Sequence, residues 1–343
     1  MAFDIFATTR LNRLVEYLDR PASHLLDAYF PMVQEEDTEE IHFDKKAGAP
    51  RITPFVAPFV EGIVVDDQGY TTDVFKPAYA KDKRRFMPNQ PLRRLAGEQV
   101  GGNLTPIERR EMQVSMTLAD QLDMLTRREE VMVSEALRTG QITVVGEKYP
   151  STVVNFSRDA ALTVTLLTTA RWGESGVVPL DDIETWTALI QEKSGAVSTT
   201  VTMDPEAWKL FKASLGAEKL DYRRGTNITI NTDIVAFGQG NEKARYKGSM
   251  GEFDFWVYQD RYVNDAGSVT KMIPDNTVII GGPQIEGTRA YGCIQDEKAG
   301  YQATRFFSKS WLEEDPAIRW LLLQSAPLPV PYRVNASFCA TVR

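Results

Sequence analysis

TPIERREMQVSMTLADQLDMLTRREEVMVSEALRTG, residues 105–140, is the stretch around which the chain is organised. Thr105 can cap a helix, and Pro106 suits its first turn, where a missing N–H costs nothing. Glu108, three residues after the cap, completes the pattern of a capping box. Val114, Leu118, Leu122, Leu125, Met132 and Ala136 recur near the 3.6-residue period of a one-sided helix. Gly140 stands where a left-handed residue ends such a helix. The rod from Thr105 to Arg138 would be about 50 Å long. Glu111, Asp120, Arg127, Arg128, Glu129 and Glu130 are expected on the opposite face, solvated or against another subunit. The apolar repeat fades at Glu129 and strand-like sequence follows at Gln141, so a spine under a sheet fits better than a coiled coil.

Working outward, the 343 residues are 43% hydrophobic and 25% charged, an ordinary globular composition for about two domains. No run of about 18 apolar residues could span a membrane. Met1-Ala2-Phe3-Asp4 lacks the basic and apolar regions of a signal peptide. Cys293 and Cys339 are too few for a disulfide scaffold. The net charge of −8 argues against gripping nucleic acid through the overall field. His24 and His42 lie in no ligand spacing, so a zinc site is not expected.

Thr8 or Thr9 is expected to cap a short helix through Leu18, and His24 to Phe30 forms another apolar turn or two before Pro31. Gln34 to Glu40 reads as an acidic solvated linker, and Glu40 to Lys46 as a half-buried strand. Residues 48–104 are rich in proline and glycine, with broken apolar runs at Phe55, Val56, Phe59, Val60 and Ile63 to Val65. Asp67-Gln68-Gly69 reads as a turn and Thr71 to Phe75 as a return strand. A protruding two-stranded arm that needs a neighbour explains the segment better than a structureless loop. Its outgoing limb is basic, with Lys76, Lys81, Lys83, Arg84, Arg85, Arg93 and Arg94.

Past the spine, Gln141 to Val145 and Ser151 to Phe156 read as a hairpin. Asp181 or Asp182 starts a helix with Ile183, Trp186, Leu189 and Ile190 inward, ended by Gly195. Thr199 to Met203 reads as a strand, and Asp204-Pro205 caps a helix carrying Trp208, Phe211 and Leu215, closed by Gly216. Further strands are expected at Asp254 to Tyr258, Thr277 to Gly281 and from Pro331 onward.

No catalytic constellation emerges. Gly238-Gln239-Gly240 lacks the remainder of a phosphate loop. Asp181 and Asp182 sit where a helix start favours acids. Cys293 has no neighbouring base and reads as a buried thiol. The chain is therefore read as a non-enzyme without cofactor or metal.

Phe75-Lys76-Pro77-Ala78-Tyr79 with Lys81, then Leu92-Arg93-Arg94-Leu95, resembles the extended loop of the lambda-type phage major capsid protein family, major capsid protein E. Lys219 to Gly225, Pro274 to Thr277, Tyr291 to Asp296 and Gln324 to Pro327 resemble further family blocks, in register from about residue 8 to the C-terminus. Residues 157–180 and 259–273 depart from them.

The resemblance implies an α+β, Hong Kong 97-like capsid fold. Its parts would be an N-terminal arm (1–37) and a strand plus extended loop (38–104, the loop from about 48). A peripheral domain (105–156, spine helix 105–138), an axial domain (157–290) and a return to the peripheral domain with C-terminal strands (291–343) would follow. The implied function is a virion shell of hexamers and pentamers, assembled in the host cytoplasm, enclosing double-stranded DNA of a tailed phage or prophage. The implied partners are further copies, a separate scaffolding protein, a portal and a decoration protein, with no membrane. An encapsulin-like nanocompartment of the same fold is the alternative, and a hydrolase using Cys293 or Asp181 and Asp182 the remote one. Candidate intersubunit contacts are Lys81, Lys83, Arg84, Arg85, Arg93 and Arg94 against Glu111, Asp120, Glu129 and Glu130. Residues 1–37 and 50–90 are expected to make few contacts within their own subunit.

Overall fold

The structure, a computed structural model, describes residues 6–18, 21–46, 53, 55–56, 58–59, 61, 70–94, 98, 104–146, 149–215, 243–315 and 317–343. Short elements come first: α1 (Thr8–Tyr17), α2 (His24–Tyr29), β1 (Met32–Glu35), β2 (Ile41–Lys46), β3 (Tyr70–Phe75) and β4 (Ala80–Phe86). The long helix α3 (Pro106–Thr139) follows, then the hairpin β5 (Gln141–Gly146) and β6 (Tyr149–Asn155). Next come β7 (Thr163–Thr165), α4 (Pro179–Ser194), β8 (Thr200–Met203) and α5 (Pro205–Ser214). Six strands continue the chain: β9 (Ala244–Met250), β10 (Phe253–Tyr258), β11 (Arg261–Val263), β12 (Val269–Lys271), β13 (Thr277–Gly281) and β14 (Gly287–Tyr291). It closes with β15 (Phe307–Glu313), β16 (Ile318–Ser325), β17 (Pro327–Pro331) and β18 (Phe338–Thr341).

The spine forms for the local reasons its sequence gives. Thr105 and Glu108 make both bonds of the capping box, and Gly140 ends the helix at φ 70°. Arg158 donates to the last free carbonyls, Leu137 O at 2.5 Å and Arg138 O at 2.6 Å. Along its length the helix serves three apolar clusters. Val114, Leu118 and Leu122 meet Phe6, Leu11, Val15, Phe86 and Leu321. Ala136 lies with Ile41, Phe43, Ile142 and Val154. Val133 and Leu137 join the largest cluster, under a six-stranded sheet ordered β7-β18-β13-β8-β10-β9. In that cluster Trp186 stacks between Trp172 and Phe338, with ring centroids 6.0 and 5.0 Å away.

Two three-stranded sheets complete the frame, β1-β14-β17 and β15-β16-β4. Several expectations are corrected. Helix α1 starts at Ala7 without a side-chain cap, so neither Thr8 nor Thr9 caps it. Helix α4 starts at Pro179, with Asp181 and Asp182 inside its first turn. The strand expected from Pro331 ends there. The first two residues of the expected acidic linker, Gln34 and Glu35, instead end strand β1, which runs parallel to β14. Strand β3 pairs with β2, Ile41 opposite Phe75. The turn at Asp67–Gly69, the run Ile63 to Val65, Gly216, Lys219 to Gly225 and Gly238–Gly240 lie outside the described residues. The described part of 1–37 is not poor in contacts: Leu25, Leu26, Tyr29 and Phe30 are wholly buried in the main core. Nor does residue stretch 50–90 stand clear throughout, since β4 is zipped to β16 and Phe86 is buried. Strand β18 lies between β7 and β13, which groups residues 338–341 with the sheet of 157–290.

Candidate interaction surface

The basic limb is β4, antiparallel to β16 with Arg85 opposite Trp320 and Lys83 opposite Leu322. Period-2 alternation splits it into two faces. Lys81, Lys83 and Arg85 point outward and are exposed, while Asp82 and Arg84 turn toward α3. Lys83 Nζ lies 3.9 Å from the ring centroid of Trp320 and 5.1 Å from that of Trp311, two cation–π contacts on the outer face. Lys81 Nζ sits 4.9 Å over Tyr79. Arg84 donates to Asp82 Oδ2 at 2.8 Å and to Asp120 Oδ2 at 2.9 Å. Hydrogen bonding to Asp82, with both carboxylates nearby, holds its guanidinium all the more firmly charged.

Arg84 and Asp120, both expected at contacts between subunits, pair with each other within one chain. Arg93 and Arg94 are exposed beyond β4, Arg94 donating to Glu98 O at 2.5 Å, and Glu111 is exposed on α3.

Glu129 and Glu130 are corrected outright: both are buried. Glu130 accepts from Leu25 N at 3.0 Å, Leu26 N at 3.1 Å and the Tyr258 hydroxyl at 2.9 Å. It satisfies the first free N–H groups of α2 and ties the arm to the spine. Burial pushes its carboxyl up. Glu129 accepts from the Tyr291 hydroxyl at 3.0 Å on β14. Neighbouring residues on a helix point about 100° apart, so two acids that break the apolar pattern fasten the spine to two different sheets.

The remaining sequence candidates have internal partners. Asp182 accepts from the Trp172 indole at 2.8 Å. Cys293 sits in an isolated bridge with Ala303, its thiol 3.0 Å from Tyr301 O. Cys339 is buried in the main core, where burial pushes its thiol up to about 11. His24 packs at a tilt against Trp256 and Tyr258 and meets Thr202 Oγ1 at 3.2 Å, and burial drops it to about 4. His42 is exposed. Among the described residues, no three His, Cys, Asp or Glu side chains gather to hold a metal, and no helix is long and apolar enough to cross a membrane.

Three surface features escaped the sequence reading. Trp311 and Trp320 face each other across β15 and β16. The hairpin end carries exposed Leu312 on β15, followed by exposed Glu314 and Asp315 in the turn. Met112 and Met116, four residues apart, and Met124, eight further on, form an exposed stripe on α3. Alternation in Ser308-Lys309-Ser310-Trp311 could have revealed the first.

A family model described as phage major capsid protein E matches residues 7–342. The major capsid protein of Escherichia phage lambda is 32% identical over 299 residues, 85% of each chain. That of Escherichia phage N15 is 31% identical over 333 residues, 94% of this chain and 95% of its own. Among solved structures, a crystallised prophage protein of E. coli CFT073, described as a capsid protein, superposes with a TM-score of 0.77. That likeness spans 98% of this chain and 99% of the other at 22% sequence identity, so it speaks for the fold. With a matched span from residue 7 to residue 342 and curated relatives above 30% identity, the chain belongs to the phage major capsid protein E family.

Proposed function

We infer that this chain is the major capsid subunit of a tailed double-stranded DNA phage or prophage, a structural protein whose copies build the shell around the genome. The family match across residues 7–342 carries the reading. The finer picture is a Hong Kong 97-like subunit that forms hexamers and pentamers of an icosahedral shell in the host cytoplasm. A separate scaffolding protein, a portal and a decoration protein would be its partners. In that picture residues 1–37 are an arm, 38–104 a strand and extended loop, 105–156 a peripheral domain and 157–290 an axial domain. Residues 291–343 return through the peripheral side, with β18 completing the axial sheet.

Open surface supports self-association. Phe55 and Phe59 are fully exposed, and β1 presents four exposed residues at a sheet edge. Lys81, Lys83, Arg85, Arg93, Arg94 and Glu111 remain candidate contacts; Glu129 and Glu130 do not. The nanocompartment alternative has less support, because the curated sequence relatives are phage major capsid proteins.

The test is negative-stain microscopy of the full chain expressed alone and with the neighbouring scaffold gene. Closed shells of uniform size are expected. Only monomers and amorphous aggregate under both conditions would overturn the reading.

A further inference from the structure

We propose that the cleft where β4 and β16 meet α3 is a socket for the acidic end of the β15–β16 hairpin, Leu312 to Asp315, of a second copy of this chain. The proposal rests on the shell-subunit reading and names one contact within it.

The socket is a cleft of about 400 Å³ between β4, β16 and α3, lined by Lys83, Arg84, Arg85, Gln90, Gln113 and Trp320 among others. No carboxylate lines it. Arg84 is occupied by Asp82 and Asp120. Among the described residues, Lys83 and Arg85 have no acid partner. Lys83 is held over two tryptophan rings, which fixes a cation on an apolar floor. The Gln90 carbonyl oxygen accepts from Gln113 Nε2 at 3.0 Å and from Met87 N at 3.2 Å, which leaves its N–H groups to the cleft. The cleft therefore asks for carboxylates accompanied by an apolar side chain.

The turn supplies that chemistry. Leu312 is 53% exposed, and Glu314 and Asp315 have no cation partner among the described residues. Glu313 is already used, accepting from the Trp320 indole of its own chain at 2.9 Å. A subunit's own turn does not fill its own socket. Lys83 lies opposite Leu322 and the turn begins beyond Ile318, so about 13 Å of strand separates them at 3.3 Å per residue. Every copy carries one turn and one socket, which adjoin only where Glu313 meets Trp320. Such a heterologous contact repeats from subunit to subunit and closes when the rotation closes.

Duplex DNA is the weaker occupant. Its bases are out of reach of the tryptophan rings, and the socket's two free cations, on a chain of net charge −8, make a poor phosphate track.

The experiment is a charge swap in the full chain, read as the fraction sedimenting as closed particles, with circular dichroism of each variant as the folding control. Lys83→Glu with Arg85→Glu should lower particle yield about ten-fold or more, since like charges meet across the contact. Glu314→Lys with Asp315→Lys should do the same. All four substitutions together should restore yield to within about three-fold of wild type, a rescue that misfolding cannot produce. Lys83→Arg should assemble normally. Absence of rescue in folded variants, or normal assembly of either reversal, overturns the contact. Normal shells that lose retained DNA also overturn it, in favour of a nucleic-acid face. A wild-type chain that forms no particle with its scaffold gene would instead sink the shell reading itself.

Discussion

At the residue scale, the informative side chains break the pattern around them. His24 is a largely buried imidazole packed against Trp256 and Tyr258, and burial lowers it from 6.5 to about 4. A folded-state value below the unfolded one means that the unfolded chain binds the extra proton. His24 thus contributes stability that is complete above pH 6.5 and lost as pH falls toward 4. At 1.36 kcal/mol per unit, that loss amounts to about 3 kcal/mol. His24→Phe keeps a ring in the stack and removes the titration. Denaturant unfolding of the variant at pH 7 and pH 4.5 should show most of this pH-linked loss gone; an unchanged loss would assign it to other groups. Glu130 runs the other way. Its raised carboxyl contributes stability present at low pH, lost as pH rises from the ordinary glutamate range through its folded value. Neither residue's role was legible in the sequence. Glu129 and Glu130 fall on the polar side by composition, yet their partners are 104 to 162 residues away in the chain. A helical period describes one helix, not what arrives against it.

At the element scale, the spine helix was legible because its determinants are local. The capping box lies within four residues, and the apolar period needs only the helix itself. Its two ends nevertheless differ in cost. Thr105→Ala removes one cap bond at an exposed terminus and should destabilise the unassembled subunit by about 1 kcal/mol. Gly140→Ala should cost about 2 kcal/mol or more. It adds a left-handed penalty of about 1–2 kcal/mol, and the new Cβ would stand 2.6 Å from Arg158 Cβ. Arg158 must then shift from the carbonyls it satisfies. Chemical denaturation at equal protein concentration ranks the two, and a milder effect at Gly140 would contradict this account of the helix end. The β15-β16 hairpin was missed for the opposite reason. Its strands mix Ser, Lys and Arg with Trp and Leu, and β4 pairs with β16 across more than 230 intervening residues. Neither signal is local.

At the scale of the whole molecule, the subunit buries what it can and leaves a specific remainder. Among the described residues, three apolar clusters arranged along one helix and a small fourth around Ile294, Phe307 and Ala326 make up the interior. Phe55 and Phe59 stay fully exposed, and Met112, Met116 and Met124 line the outer side of the spine. Burying one phenylalanine is worth about 1.5–3 kcal/mol, so two left in water are a reserve that only another molecule can use. Sequence reading saw this in outline, as an arm needing a neighbour, but placed too much of the chain in it. Helices α1 and α2 and strand β4 pack on their own subunit, because Leu11, Leu25, Leu26 and Phe86 each complete an apolar cluster there. The exposed pair separates subunit stability from assembly. Phe55→Ser with Phe59→Ser should leave the unfolding midpoint of the isolated subunit within about 0.5 kcal/mol of wild type, as surface changes do. The same variant should need about ten-fold more protein, or higher still, to form particles, since each subunit forfeits two buried rings. Sedimentation across a concentration series reads the second effect, and denaturant unfolding of dilute subunit reads the first. A large loss of subunit stability would mean that the rings pack within their own chain, and unchanged assembly would mean that no neighbour covers them.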